Sequence, residues 1–249
     1  MEWRDEGVII GLKKYGETSV ILEAMTRAHG RHLGIVRGGR SRRHAAMLQP
    51  GNSVDLVWRA RLDGHLGMYQ VEATRMRAAG VIDSAAALYA LGTVACHLRL
   101  LPERDAHEEL YDALLVLLDH LSDARTACAL LARFERALLG DLGFGLDFAC
   151  CAATGTTDDL VYVSPKTGRA VCRTAGEPYR DRLLPLPGFM RGERAIEPMP
   201  TGAIADALHL TGYFLSRHVF EPRGLAMPDQ RAHLLVLSGA AHDLSSSES

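Results

Sequence analysis

From Gly7 to about Ala78, apolar and polar positions alternate in short runs broken by turns. Val8, Ile10 and Leu12 share one parity, as do Val20, Leu22 and Ala24, and then Leu33 and Ile35. Val54, Leu56 and Trp58 follow, and then Leu66 and Met68. A period of two with β-branched residues is the pattern of strands that bury one face. Tyr15-Gly16-Glu17, His29-Gly30, Gly38-Gly39, Pro50-Gly51-Asn52 and Asp63-Gly64 supply turn chemistry between the runs. Five short strands in so short a stretch predict a small barrel, closed or partly closed, because closure removes edges that would pair with another chain.

After Gly80 the period lengthens. Leu88, Leu91, Ala95 and Leu98 recur at helical spacing, as do Leu110, Leu114, Leu117 and Leu121, and then Leu131, Phe134, Leu138 and Leu142. Gly140, Gly143 and Gly145 end the third helix. An irregular insert at about 148–178 carries a hairpin, Leu160 to Val163 against Arg169 to Cys172. Five of the ten prolines fall between Pro178 and Pro200 and forbid a long helix there. Helical spacing resumes near Ile204, Leu208, Phe214 and Leu215, and again around Leu234 to Leu237. The expected architecture is α+β. A small N-terminal β-barrel spans 1–79, a mainly helical domain with the insert spans 80–244, and a polar, disordered tail spans 245–249.

Composition narrows the class. Hydrophobic content of 47% and charged content of 23% are globular values. No apolar run approaches the length of a membrane span, and the acidic start is unlike a signal peptide. An odd count of five cysteines points to a reducing cytoplasm rather than to a disulfide framework. The net charge of -2 conceals an asymmetry: residues 1–80 hold thirteen Lys/Arg against eight Asp/Glu, and the remainder holds fifteen against twenty-two. Opposite signs imply two modules, one suited to a polyanion.

No catalytic motif emerges. His107-Glu108-Glu109-Leu110-Tyr111 begins like a zinc-protease helix, but Tyr111 stands where the second imidazole must be. Gly143-Phe144-Gly145 starts like a dinucleotide loop, yet Phe148 replaces the third glycine. Cys151-Ala152-Ala153-Thr154 and Cys172-Arg173-Thr174-Ala175 read as two metal knuckles that have each lost a thiol. Thr154 and Ala175 offer no soft donor, so neither a metal nor another cofactor is expected, and the chain is not expected to be an enzyme.

The signal that stands out is basic. Between Arg27 and His44 lie Arg27, Arg31, Arg37, Arg40, Arg42 and Arg43, with His29, His32 and His44, and no acid. Such a patch attracts phosphates, and the planar fork of arginine matches their oxygens. Gly38-Gly39 is expected to keep this segment pliable enough to follow a strand. Arg59 and Arg61 alternate outward beside the inward Val54, Leu56 and Trp58, which places Trp58 in the core rather than on a base-stacking platform. A small barrel bearing arginines suits single-stranded nucleic acid.

These residues carry a family resemblance. Tyr15-Gly16-Glu17-Thr18-Ser19, Thr26 through His29-Gly30-Arg31, Arg37-Gly38 and Leu48-Gln49-Pro50 resemble the N-terminal barrel of the RecO family of recombination mediators. Arg133-Phe134-Glu135, Ala137-Leu138-Leu139-Gly140 and Leu142-Gly143-Phe144-Gly145 are similar to its central helix. Val161 through Val171 and Leu183-Leu184-Pro185-Leu186-Pro187 are similar to its proteobacterial members. The resemblance implies an OB-fold barrel followed by a helical domain, with a degenerate zinc-finger-like insert, since some members hold zinc through two Cys-x-x-Cys pairs. It implies binding of single- and double-stranded DNA, annealing of complementary strands, and help to RecA in replacing single-strand-binding protein, alongside RecR, in the cytoplasm at the nucleoid. It also implies that the helical domain takes the acidic C-terminal tail of single-strand-binding protein. Arg133 and Arg136, off the stripe of Leu131, Phe134 and Leu138, and Arg217 near Phe214 are the candidates to hold the tail's carboxylate. The alternatives are a generic single-stranded DNA- or RNA-binding barrel with a helical oligomerisation domain, or an enzyme with an undetected site.

Overall fold

The structure, a computed structural model, describes residues 1–62, 64–192 and 200–239. The tail at 245–249 and the side chains of Arg43 and Thr201 lie outside the described residues. Two compact units divide the chain, Met1–Ser122 and Asp123–Ser249.

In the first unit, β1 (Glu2–Tyr15), β2 (Ser19–Thr26), β3 (Gly30–Val36), β4 (Ser53–Arg59) and β5 (Met68–Arg75) form an OB-like five-stranded sheet. Its order is β1-β2-β3-β5-β4, and it closes because the long β1 pairs antiparallel with both β2 and β4. The seam between β3 and β5 is a short parallel contact at Ile35 and Met68. A short helix, α1 (Arg42–Ala45), lies between β3 and β4, and α2 (Ala78–Ile82), α3 (Ala85–Leu98) and α4 (Glu108–Leu118) follow β5. The strand period ends near Gly80, but the compact unit that holds the barrel runs on to Ser122 and includes these helices.

The barrel core is Ile9, Val20, Leu22, Ala24, Val36, Leu48, Val54, Leu56, Trp58 and Tyr69. The faces of β2 and β4 are those that alternation predicts. Those of β1, β3 and β5 are not, and each departure has a local cause. The register of β1 shifts between Ile9 and Gly11, so Ile9 joins the core while Leu12 is exposed. In β3 the buried parity is His32, Gly34 and Val36 rather than Leu33 and Ile35. The ring of Tyr69 occupies the space above Gly34, where a Cβ would stand 2.4 Å from it, and the Tyr69 hydroxyl meets His32 Nδ1 at 2.9 Å. Tyr69, not Leu66 or Met68, is therefore the residue β5 buries. In α3, Leu91, Ala95 and Leu98 are buried as expected, but Leu88 is exposed.

The second unit is built on α5 (Ala124–Asp141), which Asp123 caps by accepting the N–H of Thr126 at 2.8 Å. Next come β6 (Leu160–Val163), β7 (Ala170–Cys172), α6 (Arg173–Gly176) and β8 (Leu184–Pro185), and then α7 (Thr201–Leu215) and α8 (Asp229–Leu237). The β6–β7 hairpin stands where the alternation placed it, and β8 extends it into a sheet ordered β7-β6-β8. Leu131, Phe134 and Leu138 of α5 pack into a helical core with Leu208, Phe214 and Leu215 of α7. No helix of the described residues is long and apolar enough to cross a membrane.

Candidate nucleic-acid interface

The loop from Arg37 to Ser41 is held rather than pliable, contrary to the expectation from its two glycines. Gly38 takes a left-handed φ of 64°, and a Cβ on Gly39 would stand 2.6 Å from Val20 Cγ2. The first glycine permits the turn and the second permits close packing. Arg40 N–H bonds Thr18 O at 3.0 Å, Ser41 N–H bonds Gly38 O at 3.0 Å, and His44 Nδ1 meets Gly38 O at 3.0 Å. Behind the loop, buried Asn52 donates to Ala46 O and Met47 O and accepts from the N–H groups of Arg77 and Ala78. All four hydrogen-bonding positions of one buried amide are thus used to pin the segment that follows α1 to the start of α2.

This framework sets the arginines apart. Arg37, Arg59 and Arg61, with His44, rim a groove of about 680 Å³ on the barrel. Met68 and Val71 supply apolar floor, Gln70 adds an amide, and no carboxylate lines it among the described residues. Arg40 and Arg42 are exposed on the adjoining loop and α1, and Arg43 lies in α1 with its side chain outside the described ones. Arg40 donates to Glu17 O, a backbone contact, and among the described residues no carboxylate pairs with it. Among the described residues no carboxylate pairs with Arg37, Arg42 or Arg61. Arg59 is paired, to Glu2 at 2.8 Å, and both side chains are half exposed.

Arg27 and Arg31 belong to the same acid-free stretch of sequence but not to the same surface. Arg27 pairs with Glu6 and with Asp112, the latter at 2.7 Å, and its charge is held well above the usual guanidinium range by those hydrogen bonds. Arg31, only 13% exposed, pairs with Glu23 at 3.0 Å and Glu103 at 3.5 Å. His29 stacks on Trp3 with ring centres 4.0 Å apart and meets Asp5 at 2.9 Å, while His32 is buried against Tyr69. Trp58 is core, as parity predicts: it is 1% exposed and its indole N–H donates to Leu66 O at 3.0 Å.

In the second unit the three partner candidates are not brought together. Arg133 donates to Phe189 O at 2.8 and 3.1 Å, and Arg136 donates to Met190 O at 2.8 Å. Burial and then the neighbouring Arg133 charge lower the Arg136 pKa. Both guanidiniums thereby hold the turn at Gly188–Arg191 in place. Arg217 is exposed and donates to the Tyr213 hydroxyl at 2.7 Å. It lines a separate groove of about 650 Å³ with Leu208, Tyr213, Met227 and Arg231, and one carboxylate, Glu221, also lines it. Arg231 was not legible as a site residue: it pairs with Glu135 at 2.7 Å, and that carboxylate lies ninety-six residues earlier and is fully buried. The backbone changes to a π-helix at Ser216–Phe220, which re-aims the chain at the residue Arg217 occupies.

The insert does not fit a closed zinc site. Among the described residues no group of three or more His, Cys, Asp and Glu could hold a metal ion. Cys151 and Cys172 converge, but the hydroxyl of Thr154 stands beside them where the second thiol of a knuckle would be.

Comparison with known proteins accords with this architecture. Residues 1–77 match the family model described as recombination protein O N terminal, and residues 82–225 match the one described as recombination protein O C terminal. A DNA repair protein RecO of Mesorhizobium japonicum is 61% identical over 95% of this chain and 93% of its own length. One from Chelativorans sp. is 57% identical over 95% of each chain, and one from Methylocella silvestris is 57% identical over 96% of each. The chain belongs to the RecO family of DNA repair proteins.

Proposed function

We propose that this protein is a non-enzymatic mediator of recombinational repair that binds single- and double-stranded DNA on its barrel and anneals complementary strands. The observation that carries this reading is the groove rimmed by Arg37, Arg59 and Arg61, with Arg40 and Arg42 beside it and no carboxylate in its described lining. Annealing needs no covalent chemistry. It needs two polyanions held together, and arginines do that by neutralising phosphates and releasing counterions. A generic single-strand binder would rely on exposed aromatic platforms. Trp58 and Tyr69 are buried, at 1% and 4% exposure, and Tyr15, exposed at 48%, is not in the lining of the groove, which favours contact there through phosphates and therefore tolerance of both single strands and duplex.

On the partner side, the reading includes action with RecR in helping RecA displace single-strand-binding protein, at the nucleoid in the cytoplasm. The tail of single-strand-binding protein fits the Arg217 groove best, since Arg217 is exposed, pairs with no carboxylate among the described residues and can hold a terminal carboxylate, while Leu208, Tyr213 and Met227 offer apolar surface to the last side chain. Arg133 and Arg136, whose donors are engaged by Phe189 and Met190, then support the neighbouring turn instead of the tail.

Fluorescence annealing of complementary oligonucleotides, with and without single-strand-binding protein, tests the reading. Replacing Arg37, Arg40, Arg42 and Arg43 with Ala is expected to abolish annealing. It is also expected to reduce the slope of log affinity against log salt by about 1 for each phosphate no longer neutralised. An unchanged slope in the fourfold variant overturns the barrel assignment. Tail-peptide titration with Arg217→Ala separately tests the partner groove.

A further inference from the structure

The thiols of the insert are arranged for chemistry that neither DNA binding nor annealing uses. Cys151 opens an exposed turn, Ala152 to Gly155, yet is itself only 1% exposed. The turn is tight: Gly155 N–H bonds Cys151 O at 2.9 Å, and Gly155 has a φ of 76°. Hydrogen-bond donors converge on the Cys151 sulfur. The N–H of Cys172 reaches it at 3.3 Å, and the N–H groups of Ala153 and Thr154 and the Thr154 hydroxyl also point at it. The same hydroxyl lies 3.6 Å from the Cys172 sulfur, which meets the Thr174 hydroxyl at 3.5 Å on its other side. The two sulfurs share one hydroxyl, and the backbone N–H of one cysteine donates to the sulfur of the other.

The electrostatics agree with the geometry. Burial works against a charge on Cys151, but the Thr154 hydroxyl and the three backbone N–H groups outweigh it and bring the thiol down to about 6. Buried Cys128 shows the opposite outcome, since burial pushes it up to about 11. A hydrogen-bonded knuckle that favours a thiolate, without the further thiols that would close a metal site among the described residues, leaves that thiolate without a metal partner beneath the exposed turn.

We propose that Cys151 and Cys172 form a reversible dithiol–disulfide pair that responds to peroxides. The Cys151 thiolate attacks a peroxide oxygen: the S–O bond forms, the O–O bond breaks, and hydroxide leaves and takes up a proton. The Cys172 sulfur then attacks the sulfenic sulfur, forming the S–S bond, breaking the S–O bond and releasing water with the Cys172 proton. Two thiols lose two electrons and the peroxide becomes two waters. A dithiol reductant reverses the step. The bond ties the exposed turn to β7.

The test uses the full chain with Cys150→Ser, in which tryptic cleavage at Lys166 and Arg169 puts Cys151 and Cys172 on separate peptides. Hydrogen peroxide under native conditions is expected to join those peptides with loss of the mass of two hydrogens, and dithiothreitol to separate them. A Cys172→Ser variant is expected to trap Cys151 as a dimedone-reactive sulfenic acid. Thr154→Val is expected to move the pH midpoint for iodoacetamide labelling of Cys151 upward from about 6. Oxidation of Cys96 or Cys128 while the Cys151–Cys172 link never forms overturns the proposal. So does a Cys172→Ser chain that gives no sulfenate. DNA binding has no part in any of these readouts, so they stand or fall apart from the mediator assignment.

Discussion

The loop between β3 and β4 and the packing of α5 against α8 both use arginine, with opposite physics. Arg37 and Arg42 stand in solvent on a loop whose backbone is hydrogen-bonded into place, so they add charge and little stability. Arg231 lies over the fully buried Glu135, which also accepts the Thr211 hydroxyl, and Arg231 reaches Leu208 O as well. There the charge is compensated and its removal would leave a carboxylate stranded. The difference teaches that a count of arginines says nothing of their use. A guanidinium without a carboxylate is free for a ligand, and one over a buried carboxylate is part of the fold.

The largest effect that could break this contrast comes from Glu135→Ala. Loss of one member of a buried pair costs about 3–5 kcal/mol. Urea unfolding of the second unit is expected to show that loss, and Glu135→Gln with Arg231→Met to recover part of it. A Glu135→Ala chain as stable as the parent would place the pair among mere surface contacts.

A sharper comparison lies within the barrel. Arg31→Ala removes a charge-assisted hydrogen bond to Glu23 and an ion pair with Glu103, for an expected cost of about 1.5–3 kcal/mol. Arg37→Ala and Arg61→Ala are expected to stay within about 0.5 kcal/mol. DNA affinity should rank the other way, falling for Arg37 and Arg61 and holding for Arg31 wherever the fold survives. Thermal melts and salt titrations of the same proteins separate the two classes.

The smallest effect is a pH dependence. Burial disfavours the Asp119 charge, but hydrogen bonds from Arg77 and Arg75, at 2.8 Å each, more than offset it and lower its pKa below the ordinary carboxylate value. A depressed folded pKa means that the stabilisation is complete above the unfolded value and is lost as pH falls through the folded one. Asp119→Asn is expected to cost about 1 kcal/mol at neutral pH and to flatten the acid limb of the stability curve of the first unit.

What was legible in the sequence was whatever short-range periodicity governs. A period of two over five runs and a helical period thereafter were enough for a barrel followed by helices, because burial of one face repeats at the pitch of the local structure. The hairpin of the insert and the inward Trp58 were readable for the same reason. Parity failed in β1 and β3, where a register shift and a glycine under the Tyr69 ring moved burial to the other face. Neither is encoded in alternation, since each depends on a partner strand brought in by closure.

The acid-free run from Arg27 to His44 was visible at once, but which of its arginines are free was decided only by folding. The acids that take Arg27 and Arg31 are Glu6 and Glu23 from other strands, Asp112 from α4 and Glu103 from the connection between α3 and α4. Arg231 and Glu135 are likewise strangers in sequence. Ion pairing is a through-space interaction that falls off over a few ångströms. The chain therefore determined by itself where charge is plentiful, and only the tertiary structure decided where it is left uncompensated.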